Sequence, residues 1–425
     1  MTHRSTTTNT IPYTNQHTKH FFTPPSQAAA EYALKRLKNE RSEPMLGLLV
    51  NRRPQDDKSW STRKFKLQNK AKRLLPGHSI QKCCCWSVPA KNVEIWKSEG
   101  DGSAHYRNVQ TCKNVWVCPV CSSRITERRA KELQAMLDGT DYQTVMVTYT
   151  MRHNRTDTLV DTLETISSAI RSFKSGRKWQ GFKEGWGIVG TIKALEVTWS
   201  YDNGWHPHIH ELIVLDLKKP LSYAQTAHLD DILTERWLRV LSRHGGSATS
   251  ERGLTVSPNA IDQYIAKFGR DPKGDDGKWT LAREVAKAAS KHNSKGKSLT
   301  PFEILDRSGD DKQMSALFVE YQQAMIGKRQ MVWSKGLRDL LELVGDGDEM
   351  ADEKGGEKLI EIPFSHWQSV YAERKRGDLL KIAQTGTIED IRLFVNVCHY
   401  RQLAKIEPNA QTLMHKRHKA YGRHE

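Results

Sequence analysis

The segment His206-Pro207-His208-Ile209-His210-Glu211-Leu212-Ile213-Val214 places a histidine at every second position. The apolar and β-branched residues at its end predict a β-strand over residues 206–215. Side chains alternate between the two faces of a strand, so His206, His208 and His210 are expected on one face. Three imidazoles on one face favour a metal site over polar positions on an exposed sheet.

A second strand-like run, residues 188–199, lies just before this segment. The connection contains Asp202-Asn203-Gly204, which is typical of a hairpin turn, so the two strands are predicted to pair antiparallel. If Asp202 to Gly204 form the loop, Glu196 stands opposite His210 and shares its face. If only Asn203 and Gly204 form the loop, the register shifts by one and Glu196 points to the other face.

The candidate ligands of a catalytic metal ion are therefore His208, His210 and Glu196, with His206 as the competitor for the third position. Imidazole nitrogens and one carboxylate form an open set that leaves positions for water or a substrate oxygen. Such a set suits Mg²⁺ or Mn²⁺ acting on a phosphate group.

Helical and strand-like patterns alternate around the hairpin, and we find no internal repeat. Residues 144–150 are β-branched and aromatic, which predicts a further strand. Apolar residues at helical spacing predict helices over residues 122–137, 157–173, 223–241, 258–268, 279–292, 313–325 and 386–413.

The predicted helix of residues 258–268 carries Tyr264 and Lys267 three positions apart, hence on one helical face. A tyrosine oxygen can attack phosphorus and stay attached, while a lysine neutralises the charge that develops on the phosphate oxygens. This spacing is common in ordinary helices. The spacing indicates a catalytic pair only in combination with the histidine strand that precedes it in the sequence.

Six of the seven cysteines fall between Cys83 and Cys121, which indicates a local metal site rather than a disulfide framework. A tetrahedral structural Zn²⁺ needs four thiolates. Cys112, Cys118 and Cys121 supply three, and the fourth comes from Cys83, Cys84 or Cys85. We choose Cys85 because it stands nearest to the strand-like residues 88–96, although Cys84 also reaches and buried free thiols are the alternative.

Lysine and arginine number 66 against 49 acidic residues, a formal charge of +17, which predicts a polyanionic partner. The chain has no apolar run of about 18 residues that would span a membrane, and its N-terminus lacks the apolar core of a signal peptide. We therefore expect no membrane partner and a cytoplasmic location.

Taken in chain order, Thr148-Tyr149-Thr150, His208-Ile209-His210 and Tyr264-Ile265-Ala266-Lys267 resemble the motifs of the HUH endonuclease superfamily of plasmid and phage replication initiators. The run from Cys112 to Cys121, followed by Arg128-Arg129, resembles the segment before the catalytic domain in one family of rolling-circle plasmid replication initiators (Rep proteins). The likeness covers about residues 85–341.

This resemblance implies an α+β fold in which a small cysteine-rich zinc-binding segment precedes an antiparallel five-stranded HUH-type sheet with flanking helices. It implies Mg²⁺ or Mn²⁺ at the histidine pair and Tyr264 as the nucleophile, aided by Lys267. The products would be a 5′-phosphotyrosyl link and a free 3′-hydroxyl, with strands rejoined later. Origin DNA, single-stranded or extruded as a hairpin, is the implied substrate, and a host polymerase and helicase are the implied partners.

One departure from the family concerns the terminating cleavage. Some relatives use a second tyrosine, or a glutamate four residues before the first, where this chain has Phe268 and Ala260. The resemblance therefore assigns no residue to that step.

The sequence predicts five segments: residues 1–75, basic and disordered; 76–140, the zinc-binding segment and a helix; 141–270, the catalytic domain; 271–345, a helical extension; and 346–425, an acidic hinge over residues 346–358 and a helical region. An HUH transposase or relaxase is the alternative with the same chemistry, and the cysteine segment disfavours it. A noncatalytic zinc-dependent DNA-binding protein is the alternative of another class.

Overall fold

The computed structural model of the chain describes residues 60–99, 102–138, 140–258, 298–341 and 356–421. These residues fall into two compact units. Residues 60–85, 110–138, 140–258 and 298–341 form the larger unit, and residues 86–99, 102–109 and 356–421 form the smaller one.

The secondary structure elements are numbered along the chain over the described residues. The strands are β1 (Val93–Ser98), β2 (Ala104–Arg107), β3 (Gln143–Tyr149), β4 (Ile188–Ser200), β5 (Gly204–Leu215), β6 (Leu254–Pro258), β7 (Met331–Trp333) and β8 (Gly356–Ile362). The helices are α1 (Trp60–Leu74), α2 (Pro119–Asp138), α3 (Leu159–Phe173), α4 (Arg177–Gly185), α5 (Tyr223–Arg243), α6 (Ser250–Gly253), α7 (Pro301–Arg307), α8 (Lys312–Ala324), α9 (Leu337–Leu340), α10 (Phe364–Ala372), α11 (Arg376–Thr385) and α12 (Ile388–Tyr421).

The larger unit is built on a five-stranded antiparallel sheet in the order β6-β3-β5-β4-β7. This confirms the predicted mixed fold with an antiparallel sheet of five strands. β5 is the central strand: Thr148 of β3 lies opposite His210 on one side, and Ala194 of β4 lies opposite it on the other. β7 closes one edge, where Met331 pairs with Ala194.

One face of this sheet packs against α3 and α5. Alternate residues of β3 and β5, among them Val147 and Ile213, share a buried core with Phe173 of α3 and Trp237 of α5. Burial of each large apolar side chain contributes about 1.5–3 kcal/mol. This core therefore holds both helices on the sheet.

The opposite face is covered in part by α2. Met146 and Leu212 pack there against Leu133 and Met136 of that helix. Because side chains alternate along β5, His210 lies on the same face as Leu212. The histidines thus lie on the part of this face that α2 does not cover, just before Leu212 along β5.

The smaller unit contains a second antiparallel sheet, in the order β2-β1-β8, together with α10, α11 and α12. Tyr106 of β2 packs edge-on against Trp367 of α10, with ring centroids 4.8 Å apart. Its hydroxyl donates to the carbonyl of Arg376 at 2.6 Å. This unit joins stretches of chain that are far apart in sequence, which the linear division into five segments does not anticipate.

Two sequence predictions are corrected. Residues 60–74 form α1, in which Phe65 and Leu67 are buried, whereas we expected disorder over residues 1–75. Its basic side chains are used within the fold, since Arg63 bonds to Asp306 at 2.6 Å. Residues 356–358 belong to β8 rather than to an acidic hinge, because they pair with the end of β1.

In the described part of the chain, no helix has both the length and the apolar character that crossing a membrane would need. Residues 1–59, 259–297 and 342–355 lie outside the described residues, and with them most of the predicted helices at 258–268 and 279–292.

The turn between β4 and β5 is Tyr201-Asp202-Asn203, because Ser200 pairs with Gly204. Gly204 has φ of 72°, a left-handed conformation that glycine adopts without steric cost. A Cβ at this position would lie 3.0 Å from the Cα of Arg155 and 3.1 Å from the carbonyl oxygen of Asn154. Glycine is thus what allows residues 154–155 to pack against the start of β5.

Gly204→Ala is expected to destabilise the larger unit by about 1–2 kcal/mol through the left-handed backbone and by about 1–3 kcal/mol more through the contact with residues 154–155. Gly245→Ala is the matched control, because Gly245 has φ of 80° with nothing within 4 Å of its built Cβ. Urea unfolding followed by far-UV circular dichroism measures both. Equal losses in the two variants would show that the approach of residues 154–155 contributes nothing.

Candidate metal centres

The pairing of β4 with β5 brings a carboxylate and two imidazoles together. Glu196 lies opposite His208, and Ala194 lies opposite His210. The predicted pairing of Glu196 with His210 is therefore wrong by two residues, because the turn starts one residue earlier than assumed. A shift of two residues keeps side chains on the same face, so Glu196 still points toward the histidines.

The Oε2 atom of Glu196 lies 3.1 Å from Nε2 of His208 and 3.0 Å from Nε2 of His210. The candidate donor atoms of these three residues lie within 4.8 Å of one another. His210 is buried, and Glu196 and His208 are partly exposed. The set therefore has a closed side within the sheet and an open side toward solvent.

Thr148 on the neighbouring strand orients His210. Its Oγ1 atom is 3.0 Å from Nδ1 of His210, which leaves Nε2 directed at Glu196. A hydrogen bond on the second ring nitrogen is the usual way in which proteins fix a metal-binding histidine. Sequence analysis gave Thr148 no such role, since it depends on the pairing of β3 with β5.

The donor set fits a divalent cation of the Mg²⁺ or Mn²⁺ type. Two neutral nitrogens and one carboxylate oxygen converge from adjacent strands, and water or a phosphate oxygen can complete the coordination. The buried Nδ1 atom of His208 has no hydrogen-bond partner among the described residues. The ring of His208 therefore has one nitrogen, Nδ1, whose hydrogen-bonding capacity is not used by the described residues.

The structure does not bring His206 into this set. Its ring stacks on His153 with centroids 4.6 Å apart, and its centroid lies 5.0 Å from that of His208. Burial, together with the neighbouring His208 and His153, lowers the pKa of His206 to about 4. His206 is thus a neutral ring packed beside the candidate metal ligands.

A buried charged group lies behind the histidines, on the other face of β5. Glu211 is fully buried, accepts a hydrogen bond of 3.0 Å from the hydroxyl of Tyr149, and pairs with Lys174. Burial raises the pKa of Tyr149 and lowers that of Lys174 to about 7. Because a buried carboxylate is costly without partners, this network ties β3, β5 and the end of α3 together.

The second cluster consists of Cys83, Cys112, Cys118 and Cys121, whose sulfur atoms all lie within 4.8 Å of one another. The Sγ atom of Cys121 is 3.5 Å from that of Cys83 and 3.6 Å from that of Cys112. Zn–S bonds of about 2.3 Å in a tetrahedron separate the sulfur atoms by about 3.8 Å. The cluster therefore already has the spacing of a closed zinc site.

Cys83, rather than the predicted Cys85, provides the fourth sulfur atom. Lys72 donates from Nζ to the Cys83 carbonyl at 2.8 Å, which holds this part of the chain against α1. Cys84 follows with φ of 54°, and its amide donates to the carbonyl of Gln110 at 2.7 Å. This left-handed residue turns the chain, so that Cys85 is partly exposed outside the cluster.

The thiols of this cluster differ in acidity. The hydrogen bond from Cys112 lowers the pKa of Cys83 to about 5. Hydrogen bonds with Cys112 and Cys118 raise the pKa of Cys121 well above its ordinary value. Cys83 therefore loses its proton more readily than Cys121, and the deprotonated thiolate is the form of cysteine that binds a metal ion. This chemistry fits Zn²⁺.

The predicted nucleophile Tyr264 and its partner Lys267 lie outside the described residues, as do Ala260 and Phe268. β6 ends at Pro258, directly before that segment. β6 pairs with β3, which in turn pairs with β5. The chain therefore leaves the sheet two strands away from the histidines.

Comparison with known proteins identifies relatives. The family described as "Replication protein" matches residues 103–361. The protein named "Protein rep" of Streptomyces lividans is 28% identical over 338 residues, which cover 62% of this chain and 70% of that protein. A "Neomycin resistance protein" of Streptomyces cyanogenus is 29% identical over 148 residues, which cover 28% of this chain and 34% of that protein.

No solved structure gives a significant match to the chain. The family match spans more than half of the chain and includes every residue of both candidate metal-binding clusters except Cys83. This chain belongs to the replication protein family, the plasmid rolling-circle Rep proteins that its cysteine and histidine motifs resemble.

Proposed function

We propose that the protein initiates rolling-circle replication of a plasmid by cutting one strand of origin DNA with Tyr264. The observation that carries the proposal is the convergence of Glu196, His208 and His210 on the central hairpin of a replication protein. A carboxylate with two imidazoles that leave coordination positions open is suited to phosphate chemistry. A metal site of purely structural use would be closed by further protein ligands.

In the proposed reaction the phenolic oxygen of Tyr264 attacks the scissile phosphorus in line with the leaving 3′-oxygen. The bond from phosphorus to the 3′-oxygen breaks, and the tyrosine becomes linked to the 5′-phosphate. The proton lost by the phenol reaches the 3′-oxygen through solvent, which yields a free 3′-hydroxyl. That hydroxyl primes the host polymerase, which would work with a host helicase.

Several groups of the chain support this step. Glu196, His208 and His210 would hold Mg²⁺ or Mn²⁺, and such an ion would withdraw charge from a phosphate oxygen. Thr148 keeps His210 in the orientation that directs Nε2 to the site. Lys267, three residues after Tyr264 in the sequence, neutralises charge on the phosphate and favours loss of the phenolic proton.

Rejoining of strands is the same reaction in reverse. A 3′-hydroxyl attacks the phosphotyrosyl phosphorus, and the phenol leaves with a proton. Because Phe268 and Ala260 stand where some relatives have a second nucleophile or a glutamate, the proposal uses Tyr264 for both directions.

The cluster of Cys83, Cys112, Cys118 and Cys121 is proposed to hold a structural Zn²⁺. Two of its members open α2, which packs on the face of the sheet that carries the histidines. Gln68 of α1 also donates from Nε2 to the Sγ atom of Cys118, at 3.2 Å. Zinc at this position would tie the N-terminal end of α2 to the segment that follows α1.

Tyr264→Phe is expected to abolish the covalent protein–DNA adduct, because the substitution removes the attacking oxygen. The measurement is denaturing gel electrophoresis after incubation with supercoiled plasmid carrying the origin and Mn²⁺ or Mg²⁺. Tyr223→Phe is the control, since Tyr223 is 91% exposed on α5. An adduct that persists in Tyr264→Phe would show that another residue is the nucleophile. No adduct with the wild-type protein would favour a noncatalytic DNA-binding protein.

His208→Ala is expected to lower the rate of cleavage by about 100-fold or more, since a metal ligand at a transferring phosphate is worth several kcal/mol. His206→Ala is expected to lower it by less than about tenfold, because His206 lies outside the converging set. Titration of Mn²⁺ against the initial rate of adduct formation measures both effects. Equal losses would place His206 among the ligands. Zinc content should be unchanged in both variants.

Cys83→Ser is expected to lose bound zinc and to lower the thermal midpoint of the larger unit, whereas Cys85→Ser should retain both. Loss of one thiolate from a structural site costs a large part of the folding energy that the metal supplies. Elemental analysis of the purified proteins and a thermal melt measure the two quantities. Zinc loss in Cys85→Ser alone would reverse the assignment of the fourth ligand.

A further inference from the structure

An open cavity of about 630 Å³ lies in the larger unit, outside both metal-binding clusters. Its walls are the loop of residues 113–117, which lies between two cysteines of the cluster, and the turn of residues 325–330, which precedes β7. Part of α2 forms the remaining side. A space of this size accommodates one nucleotide or a comparable small group.

Among the described residues that line this cavity, the charged side chains are all basic. Lys113, Arg129, Lys328 and Arg329 line it, and no aspartate or glutamate does. Lys113, Lys328 and Arg329 are exposed at its mouth. Cations gathered on one concave surface raise the local concentration of a polyanion.

The interior of the cavity is apolar. Val117, Ile125 and Met325 are buried there, and Ile326 at the rim is 70% exposed. An exposed isoleucine between cations is a surface against which the face of a nucleobase can lie, while the phosphates remain with the lysines and arginine. This combination fits a nucleotide better than it fits inorganic phosphate alone.

Hydrogen bonds between the walls hold the cavity in shape. The indole N–H of Trp116 donates to the carbonyl of Lys328 at 2.9 Å, and Nη1 of Arg129 donates to Oε1 of Gln330 at 2.5 Å. The side-chain oxygen of Asn114 accepts from the amides of Trp116 and Val117 at 2.9 Å and 3.1 Å. The cavity is therefore formed before any ligand enters, which lowers the entropic cost of binding.

The cysteine cluster fixes one wall, because Cys112 and Cys118 stand immediately before and after the loop of residues 113–117. The buried side chains of Trp116 and Val117 hold the middle of this loop. Lys113 adopts φ of 51°, which the anchored ends impose on a residue that ordinarily avoids this conformation. The cluster thus orients part of the basic surface.

The other wall leads to the candidate catalytic metal site. The amide of Leu195 donates to the carbonyl of Gln330 at 2.8 Å, directly beside Glu196. Met331 then pairs with Ala194, which pairs with His210. Neighbouring strands are about 4.8 Å apart, so the end of this wall lies about 10 Å from the backbone of His210. That distance corresponds to a few nucleotides of one strand.

We propose that this cavity binds a nucleotide of single-stranded DNA a few positions away from the phosphate that is cut. Lys328 and Arg329 contact the backbone, and the base lies against Ile326. The cavity would hold the strand so that the neighbouring phosphates reach Glu196, His208 and His210. The proposal rests on the proposed function for its choice of ligand, but the binding is measured without cleavage.

The test of the phosphate contacts is fluorescence anisotropy with the full chain and a labelled oligothymidine of about 20 nucleotides, longer than the about 4–16 nucleotides that one binding fold covers. Lys328→Ala/Arg329→Ala is expected to weaken binding about tenfold and to lower the slope of log K against log salt by about 1.4, or about 0.7 for each phosphate contact. Both side chains are exposed, so a thermal melt should match the wild type.

Lys218→Ala/Lys219→Ala is the matched control, since it removes the same charge from two adjacent exposed lysines that follow β5. This variant should bind like the wild type. Equal weakening in both double variants would mean that net charge alone attracts the DNA, and equal binding in both would mean that the cavity is not used. Either result overturns the proposal.

The contact with the base is tested with an abasic oligonucleotide of the same length. The wild type is expected to prefer the base-containing strand by about tenfold, and Ile326→Ser should lose most of that preference. Leu340→Ser, at a leucine that is 50% exposed on the same unit, should keep it. No preference in the wild type would reduce the cavity to a polyanion site and overturn the nucleotide assignment.

These outcomes are separable from failure of the proposed function. If the wild type forms no adduct but Lys328→Ala/Arg329→Ala binds oligothymidine more weakly than its control, the cavity binds DNA and the cleavage proposal falls. If the wild type forms the adduct and this double variant both binds and cleaves like the wild type, the cleavage proposal stands and the cavity proposal falls.

Discussion

The antiparallel hydrogen bonding between β4 and β5 determines where the other parts of the larger unit can lie. The two strands pair in one register from Gly190 to Ser200 against Gly204 to Val214, and the register shifts only between Ile188 and Gly190. This register sets Glu196 opposite His208 and leaves β5 free to pair with β3 on its other side. It also leaves the outer edge of β4 for β7. Slippage by one residue would turn the carboxylate away from the imidazoles and expose apolar residues of the same strand.

The two faces of this hairpin meet different demands. One face buries apolar side chains against α3 and α5, and within it Glu211 pairs with Lys174 and accepts a hydrogen bond from Tyr149. The other face is apolar only where α2 covers it, and beyond that contact it carries the histidines. A polar cluster survives at this position because Thr148 and Glu196 supply its hydrogen bonds. The apolar core against α3 and α5 thus stabilises the sheet, so its opposite face can carry the histidines, which contribute little to folding.

Much of this arrangement follows from local sequence, and the rest does not. The histidine strand was predictable because alternation with period two is a property of the strand itself. The position of Glu196 depended on the length of the turn, and the sequence left two lengths open. The short edge strands β6 and β7 escaped prediction because their conformation comes from their partners. The choice among three adjacent cysteines was decided by the left-handed backbone of Cys84, which has no signature in a run of identical residues. Tyr264 and Lys267 stay predictions from their spacing and from the resemblance.

The two candidate metal-binding clusters share one principle, which is to fix donor atoms through elements that are themselves held in place. Glu196, His208 and His210 stand on paired strands, which orient side chains more closely than loops do. The loop of residues 113–117 is held by a cysteine at each end and by the buried side chains of Trp116 and Val117. Gln330, in the far wall of the adjoining cavity, accepts a hydrogen bond from the amide of Leu195, which is next to Glu196. Each cluster therefore adjoins one wall of the same cavity. In the proposed function, such an arrangement would restrict a flexible single strand at the cavity before the strand reaches the candidate metal site.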